Sequence, residues 1–436
     1  MKIHFHTFGC KLNQAETEEL EEKFFKQNWQ IVDKKIKADV HFINACVVTQ
    51  KAEKEVRQLI HFIRREFPKC YLVVAGCFTP EMKVKEKQNV DIWLKDQEKQ
   101  KIKKILSKDL KKKSLIKKLK IKVKKRTRSL IKIQSGCQHY CTYCIVPFLR
   151  KKVVSRPVKN IIQEIKNKEN QGFQEIVLVG TNIGLYSDSK KELNLTDLLK
   201  EILQKTNIPR IRLSSLWPTN INSELISLVK KESRVCPHFH LSIQSASNKI
   251  LKKMNRQYIQ ADLNKIIKKI YQIPNVNLTV DIIVGFPNET DSDFNQTMEF
   301  VQKSKFSKVH IFRFSPRNKT KAADFKKQIS EQVKQKRSRE LIKLSEKVSQ
   351  QRRKDFLNKQ SSVLVQIKRG KYWHGLTANY LKVFIHPVRN LRRNCNSFDN
   401  SEFISNGVQS KKDLTNKIIQ VKLVCLYKDG IMGILN

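Results

Sequence analysis

Three cysteines crowd into one short stretch, SGCQHYCTYCIVP, as Cys137-x3-Cys141-x2-Cys144. Thiolates are soft ligands suited to iron–sulfur clusters. Three on one tight loop can hold three irons of a [4Fe–4S] cluster, leaving the fourth iron open to a substrate or cofactor. Structural zinc is the alternative, with His139 or a distant residue as fourth ligand, although zinc sites more often pair two short Cys spacings. A second set is spread along the amino-terminal part. Cys10, Cys46 and Cys77 stand 36 and 31 residues apart, near the length of one βαβ unit.

The elements around these cysteines decide what the spacing can mean. Ile3–Phe8, Val40–Asn44 and Tyr71–Ala75 read as strands, and Gln14–Lys26 and Lys51–Arg65 as helices, so a parallel sheet is expected. Each cysteine of the dispersed set then follows the carboxyl end of a strand, on the edge where open α/β sheets bind ligands. A second cluster site and simple strand-end capping both satisfy that spacing. Residues 99–128 hold sixteen Lys or Arg and one acid, Asp109. They read as a domain boundary, either a solvated linker or a basic helix lying on a polyanion.

A second βα series follows, with strands expected at Leu130–Gln134, Glu175–Val179, Arg210–Ser214, His238–Ile243, Val276–Val284 and Lys308–Arg313. Six such repeats suggest an open or partial barrel, smaller than the eight-unit form. The Cys137–Cys144 loop follows the first of these strands, at the end where active sites of such folds gather. A charged helix, about Ser330 to Phe356, closes the series. The tail alternates apolar and polar residues, with a strand pair around Asp429–Gly430, and reads as a small all-β module. Residues 390–411, rich in Asn and Ser, read as a loop insertion within it.

The formal net charge is +48 over 436 residues. Such a field draws in polyanions, although an AT-rich genome would also inflate Lys on a solvated surface. The start, MKIHFHTFGC, has no long apolar run behind a basic segment, and no stretch approaches eighteen apolar residues. A soluble cytoplasmic protein is therefore expected. In a reducing compartment ten cysteines do not argue for disulfides, and Cys70, Cys236 and Cys425 read as small buried hydrophobes.

Taken together, these segments resemble the radical S-adenosylmethionine methylthiotransferases. HTFGCKLNQAE, INACVVTQKAEKEVR and VVAGCF are similar to the three cysteine segments of their amino-terminal domain. LSIQSASNKILKKMNRQY, DIIVGFPNET and FSPRNKTKAA are similar to later barrel motifs, and GLTANYLKV to their small RNA-binding β-barrel, known as TRAM. The resemblance implies an α/β chain of four parts: an amino-terminal parallel βαβ sheet domain over 1–105, a basic linker over 106–128, a partial (βα)6 radical domain over 129–357, and a TRAM-like all-β barrel over 358–436. It implies two [4Fe–4S] clusters, on Cys10/Cys46/Cys77 and on Cys137/Cys141/Cys144, together with S-adenosylmethionine. The second cluster would bind and cleave S-adenosylmethionine, to give a radical that takes hydrogen from C2 of an adenine. The first would supply sulfur, and a second S-adenosylmethionine the methyl group.

GCKLNQAE, CVVTQKAE, RLSSLWP, CPHFHLSIQSAS and GLTANYL are most similar to the branch acting on N6-threonylcarbamoyladenosine at position 37 of tRNA. Enzymes acting on isopentenyladenosine, or on a ribosomal protein, form the alternatives, as does a zinc-stabilised RNA binder without catalysis. Implied partners are the tRNA anticodon stem-loop, an electron donor of flavodoxin or ferredoxin type and a sulfur donor, with the chain a monomer. Trp217 departs from the branch, where Glu is usual, and Ala246 and Asn288 stand where Gly is usual. Tyr143, Gly180, Thr181, Asn182, Ser214, Gln244 and Gly285 lie at or near expected strand ends, where they could contact the cofactor or act as caps and turn formers. No acid–base residue pair stands out. Arg317 reads as a phosphate or carboxylate ligand or a surface arginine. Tyr372, Trp373 and Tyr380, set among Lys368, Arg369, Lys371 and Lys382, could stack on bases or fill a small barrel core. His238 and His240 are expected to pack along their strand.

Overall fold

The computed structural model describes residues 1–33, 37–102, 105–106, 126–188, 192–386 and 413–435. Most of the basic 106–128 stretch and all of the 390–411 insertion, with Cys395, lie outside them.

The amino-terminal part is a parallel sheet of five strands: β1 (Lys2–Thr7), β2 (Gln30–Ile31), β3 (Val40–Ala45), β4 (Tyr71–Gly76) and β5 (Ile92–Lys95), in the order β2-β1-β3-β4-β5. The short edge strands β2 and β5 carry too little alternation to be read from sequence. Helices α1 (Lys11–Phe25) and α2 (Gln50–Glu66) cover opposite faces. Ile3, Phe5, Val40 and Phe42 pack with Leu20 and Phe24 on the α1 side, and Ile43, Ala45 and Val74 with Val56, Ile60 and Ile63 on the α2 side. Period-two alternation along β3 thus serves two cores at once.

All six strands expected for the second series are present: β6 (Arg128–Lys132), β9 (Glu175–Val179), β10 (Arg210–Leu213), β12 (His238–Gln244), β13 (Asn277–Val284) and β14 (Lys308–Arg313). They are parallel, in two hydrogen-bonded pieces. One runs β10-β9-β6. The other runs from β11 (Ser215–Leu216), which continues β10 past Ser214, through β12 and β13 to β14. Gln134–Ser135 (β7) and Val154–Ser155 (β8) form a small ribbon beside the first piece. Helices such as Val158–Asn170 and Leu195–Lys205 pack on the outer face of Ile131, Ile176 and Leu178. The inner face of β6 and β9 meets α1 instead: Leu12 and Ala15 lie against Leu130, Val177 and Val179. A helix of the first part therefore packs against the inner face of the second.

The closing helix runs Glu331–Lys354, with the Ser330 side chain accepting from Val333 N. The tail folds as a closed barrel, β15 (Gln360–Arg369), β16 (Tyr372–Thr377), β17 (Lys382–His386), β19 (Gly430–Leu435) and β18 (Ile418–Tyr427), in that spatial order. Arg210 and Arg212 of β10 donate to the carbonyls of Ser362, Leu376, Thr377 and Ala378, which docks this barrel beneath the amino ends of the parallel strands. No helix among the described residues is long and apolar enough to cross a membrane.

Candidate functional site

The dispersed cysteines meet. β1, β3 and β4 are adjacent and parallel, so Cys46 and Cys77, each the first residue past its strand, stand side by side. Cys10, at the start of α1, joins them: burial, then the neighbouring Cys77 and Cys10, pushes the Cys46 thiol up to about 12. The turn before Cys10 needs Gly9, whose φ is +88° and where a Cβ would lie 2.6 Å from Cys46 Sγ. Cys46 and Cys77 are buried, whereas Cys10 faces solvent. Beside Cys77 stand Arg150 and Lys99, whose charges oppose the upward push of burial on its thiol.

The second set lies on the loop after β7. Gly136 (φ +86°) opens the loop, since a Cβ there would sit 1.9 Å from Lys152 O. Asn255 Nδ2 donates to the His139 and Tyr140 carbonyls, and Thr142 Oγ1 to Lys253 O (2.7 Å). Burial, then Cys141, raises the Cys144 thiol to about 12, and the same two causes raise Cys137. Arg256, 6% exposed, reaches Cys141 Sγ at 3.5 Å and donates to Tyr258 Oη at 2.7 Å. Its guanidinium lies 3.6 Å from the Trp217 ring centroid, and the far face of Trp217 stacks on His139 at 3.6 Å. Trp217 is thus held between the His139 ring of the cysteine loop and the Arg256 guanidinium.

The donor sets fit clusters better than single zinc ions. Sulfurs on one tetrahedral zinc stand about 3.8 Å apart. Among the described residues, the one triple of His, Cys and carboxylate ligand atoms all within 4.8 Å of one another is His4/His6/His41. The sulfurs of each cysteine triple therefore spread more widely. Each set also has a buried arginine to balance anionic thiolates, which suits a cluster of several irons.

The strand-end residues divide by what they touch. Gly180, Thr181 and Asn182 are held against the cysteine loop: Thr181 Oγ1 accepts from Gly136 N, and Gln134 Oε1 accepts from Thr181 N and Asn182 N. Asn182 Nδ2 lies 3.4 Å from His139 Nε2. Tyr143 lies near Arg256 and packs edge-on to Phe286. Ser214 keeps a buried hydroxyl without a partner, at the break between β10 and β11. Gln244 ends β12 with φ +71°, an uncommon conformation for a residue with a side chain. Gly285 N donates to Glu289 Oε2 (2.7 Å), and Lys334 packs over its α-carbon.

The remaining sequence readings resolve by packing. Arg317 is buried and paired with Glu53 of α2, so it is no surface arginine. Trp373 belongs to the tail-barrel core, and Tyr372 packs on Tyr427 and His386. Tyr380 stacks on His238 and lies among Lys11, Arg128 and Arg212. His238 bonds Thr279, and His240 pairs with Asp281 at 2.9 Å. Ala246 is fully buried, and Asn288 takes φ +68°, a left-handed conformation that asparagine tolerates.

Sequence reasoning missed Gln134, Arg150 and Arg256. Arg150 follows Cys144 by six residues, and its place at the end of the apolar run IVPFL was the available signal. It donates to both Glu16 oxygens (2.9 and 3.1 Å), to Asn13 Oδ1 (3.0 Å) and to Ser135 Oγ (2.8 Å). One buried side chain thus touches the surroundings of both cysteine sets.

Comparison with known proteins follows the same division. Residues 131–301 match the Radical SAM superfamily, and residues 2–95 match Uncharacterized protein family UPF0004. The threonylcarbamoyladenosine tRNA methylthiotransferase MtaB of Aquifex aeolicus is 34% identical over 88% of this chain and 96% of its own length. MtaB of Thermotoga maritima is 36% identical over 84% of this chain and 86% of its own. The tRNA-2-methylthio-N(6)-dimethylallyladenosine synthase of Natranaerobius thermophilus is 32% identical over 84% and 86%. Among solved structures, the radical S-adenosylmethionine methyltransferase TsrM from Kitasatospora setae shares the fold, with TM-score 0.53 at 12% identity over 71% of this chain and 72% of that one. The chain belongs to the radical S-adenosylmethionine methylthiotransferase family, enzymes that work with S-adenosylmethionine and [4Fe–4S] clusters.

Proposed function

We propose that this protein transfers a methylthio group to C2 of N6-threonylcarbamoyladenosine at position 37 of tRNA. The observation that carries this reading is the pair of cysteine triples, each backed by a buried arginine and linked through Arg150, in a chain 34% identical to an enzyme of that name over nearly all of both lengths. In this reading Cys137, Cys141 and Cys144 hold one [4Fe–4S] cluster, and Cys10, Cys46 and Cys77 hold another. When bound, the two clusters and S-adenosylmethionine supply the radical, sulfur and methyl chemistry.

The chain's own residues orient and enclose. Arg256 and Arg150 balance the charge of the thiolates. Tyr143, Gly180, Thr181, Asn182, Ser214, Gln244 and Gly285 form the rim around S-adenosylmethionine. Support is strongest for Thr181 and Asn182, bonded to the cysteine loop and its neighbours, and weakest for Gly285, whose amide Glu289 already holds. The four-part division at 105, 128 and 357 assigns the first part to sulfur supply, the third to radical chemistry and the tail barrel to the anticodon stem-loop. A reduced flavodoxin or ferredoxin supplies electrons, a sulfur donor restores the first cluster, and the enzyme works as a cytoplasmic monomer. The net charge of +48 suits a polyanionic substrate.

Nucleoside analysis of tRNA from cells with and without the gene tests the assignment. Loss of the methylthio form of threonylcarbamoyladenosine is expected. Its persistence would end the proposal, and loss of the methylthio dimethylallyl form instead would move the protein to the other branch.

A further inference from the structure

We propose that His4, His6 and His41 form a binding site for one divalent zinc-class metal ion, which pins strand β1 to strand β3. His4 and His6 alternate along β1 and so share a face, and His4 stands directly opposite His41 on β3. One ligand nitrogen from each ring lies within 4.8 Å of the other two. His6 Nε2 and His41 Nδ1 are already 3.0 Å apart, close to the about 3.3 Å between two nitrogens on tetrahedral zinc. Small rotations about the soft ring torsions bring in the third.

The surroundings suit a metal. His41 is 2% and His4 8% exposed, while His6 is only partly buried, which leaves a way in from solvent. The His41 ring is braced by Phe67, with ring centroids 5.1 Å apart. Burial, then His4 and Arg64, lowers the His41 pKa to about 4, so the ring is in the neutral, ligating form. The Arg64 charge is engaged by Asp91 at 2.6 Å and by the carbonyls of Asn89 and Cys70.

The placement suggests what the ion would do. The α2 core is built on Ile43, Ala45, Leu72 and Val74 of β3 and β4 and takes no residue from β1, where the same face carries imidazoles instead. β1 leads to Cys10 and β3 to Cys46, so an ion here would tie together two strands that present cysteines. The inference stands apart from the catalytic reading, since none of the three histidines is assigned to it.

The test uses full-length protein with its clusters loaded anaerobically, exposed to zinc sulfate and desalted. Wild type should retain one more zinc per chain than His6→Gln or His41→Phe, the latter keeping the ring stack on Phe67. The zinc absorption edge of wild type should show imidazole scattering. Zinc should raise the thermal midpoint of wild type and leave both variants unmoved. Equal zinc retention by wild type and both variants, or zinc bound through sulfur alone, would overturn the site.

Discussion

Replacing Arg150 with methionine should loosen the helix that joins the two halves of the molecule. Arg150 is 4% exposed and makes hydrogen bonds to Glu16, Asn13 and Ser135, with a further ion pair to Asp96 at 3.0 Å. Breaking a buried pair by removing one partner costs about 3–5 kcal/mol. Glu16 keeps Lys99 at 2.5 Å and Lys132 at 2.7 Å, so the lower end applies, about 3 kcal/mol. At 1.4 kcal/mol per tenfold, this amounts to about 100-fold faster opening. Amide exchange of the peptide covering Lys11–Phe25 reads it directly, because those amides exchange by opening of α1. Glu16→Gln should share most of the loss, so that the double variant opens much less than the sum of the two predicts. Exchange within threefold of wild type, or strict additivity, would refute the view that this buried network holds the halves together.

Gly9→Ala should strain a backbone at φ +88° by about 1–2 kcal/mol and push Cys46 aside. Anaerobic reconstitution should then give about half the iron of wild type, with reductive cleavage of S-adenosylmethionine retained. Cys141→Ala should abolish that cleavage, whereas Cys46→Ala should keep it and stop methylthio transfer. Product from both would dissolve the division of labour between the sites. Burial alone would raise the Glu16 pKa, but Lys99, Arg150 and Lys132 outweigh it and hold the carboxyl well below its usual range. Its stabilisation is therefore complete above the ordinary glutamate pKa and lost as pH falls through the depressed folded value. The urea midpoint of iron-free protein should fall on acidification below pH 4.5, and Glu16→Gln should flatten that fall.

The chemistry was legible wherever it depended on local spacing. Cys137, Cys141 and Cys144 share one loop, so their proximity is written in the chain itself. The central strands of the parallel sheets showed as short apolar runs alternating with helical patterns, and their order let the dispersed cysteines be placed on one edge. What sequence could not supply was reach. Arg150 lies beside Cys77, and Arg317 pairs with Glu53, across hundreds of residues of separation in the second case, because folding stacks α1 and α2 against the barrel. Tyr380 read equally well as an RNA-stacking or a core residue, and only the docking of the tail barrel put it among Arg128, Arg212 and His238.

The sequence by itself determined which side chains could carry soft-metal chemistry, the alternation of strand and helix, and the strongly cationic balance. Tertiary structure decided which cations face which thiols, which aromatic rings are buried, and that three histidines from two strands share one small space. Local pattern follows from bonding geometry over a few residues. Partnership across the chain follows from close packing of whole elements, which no short window of sequence contains.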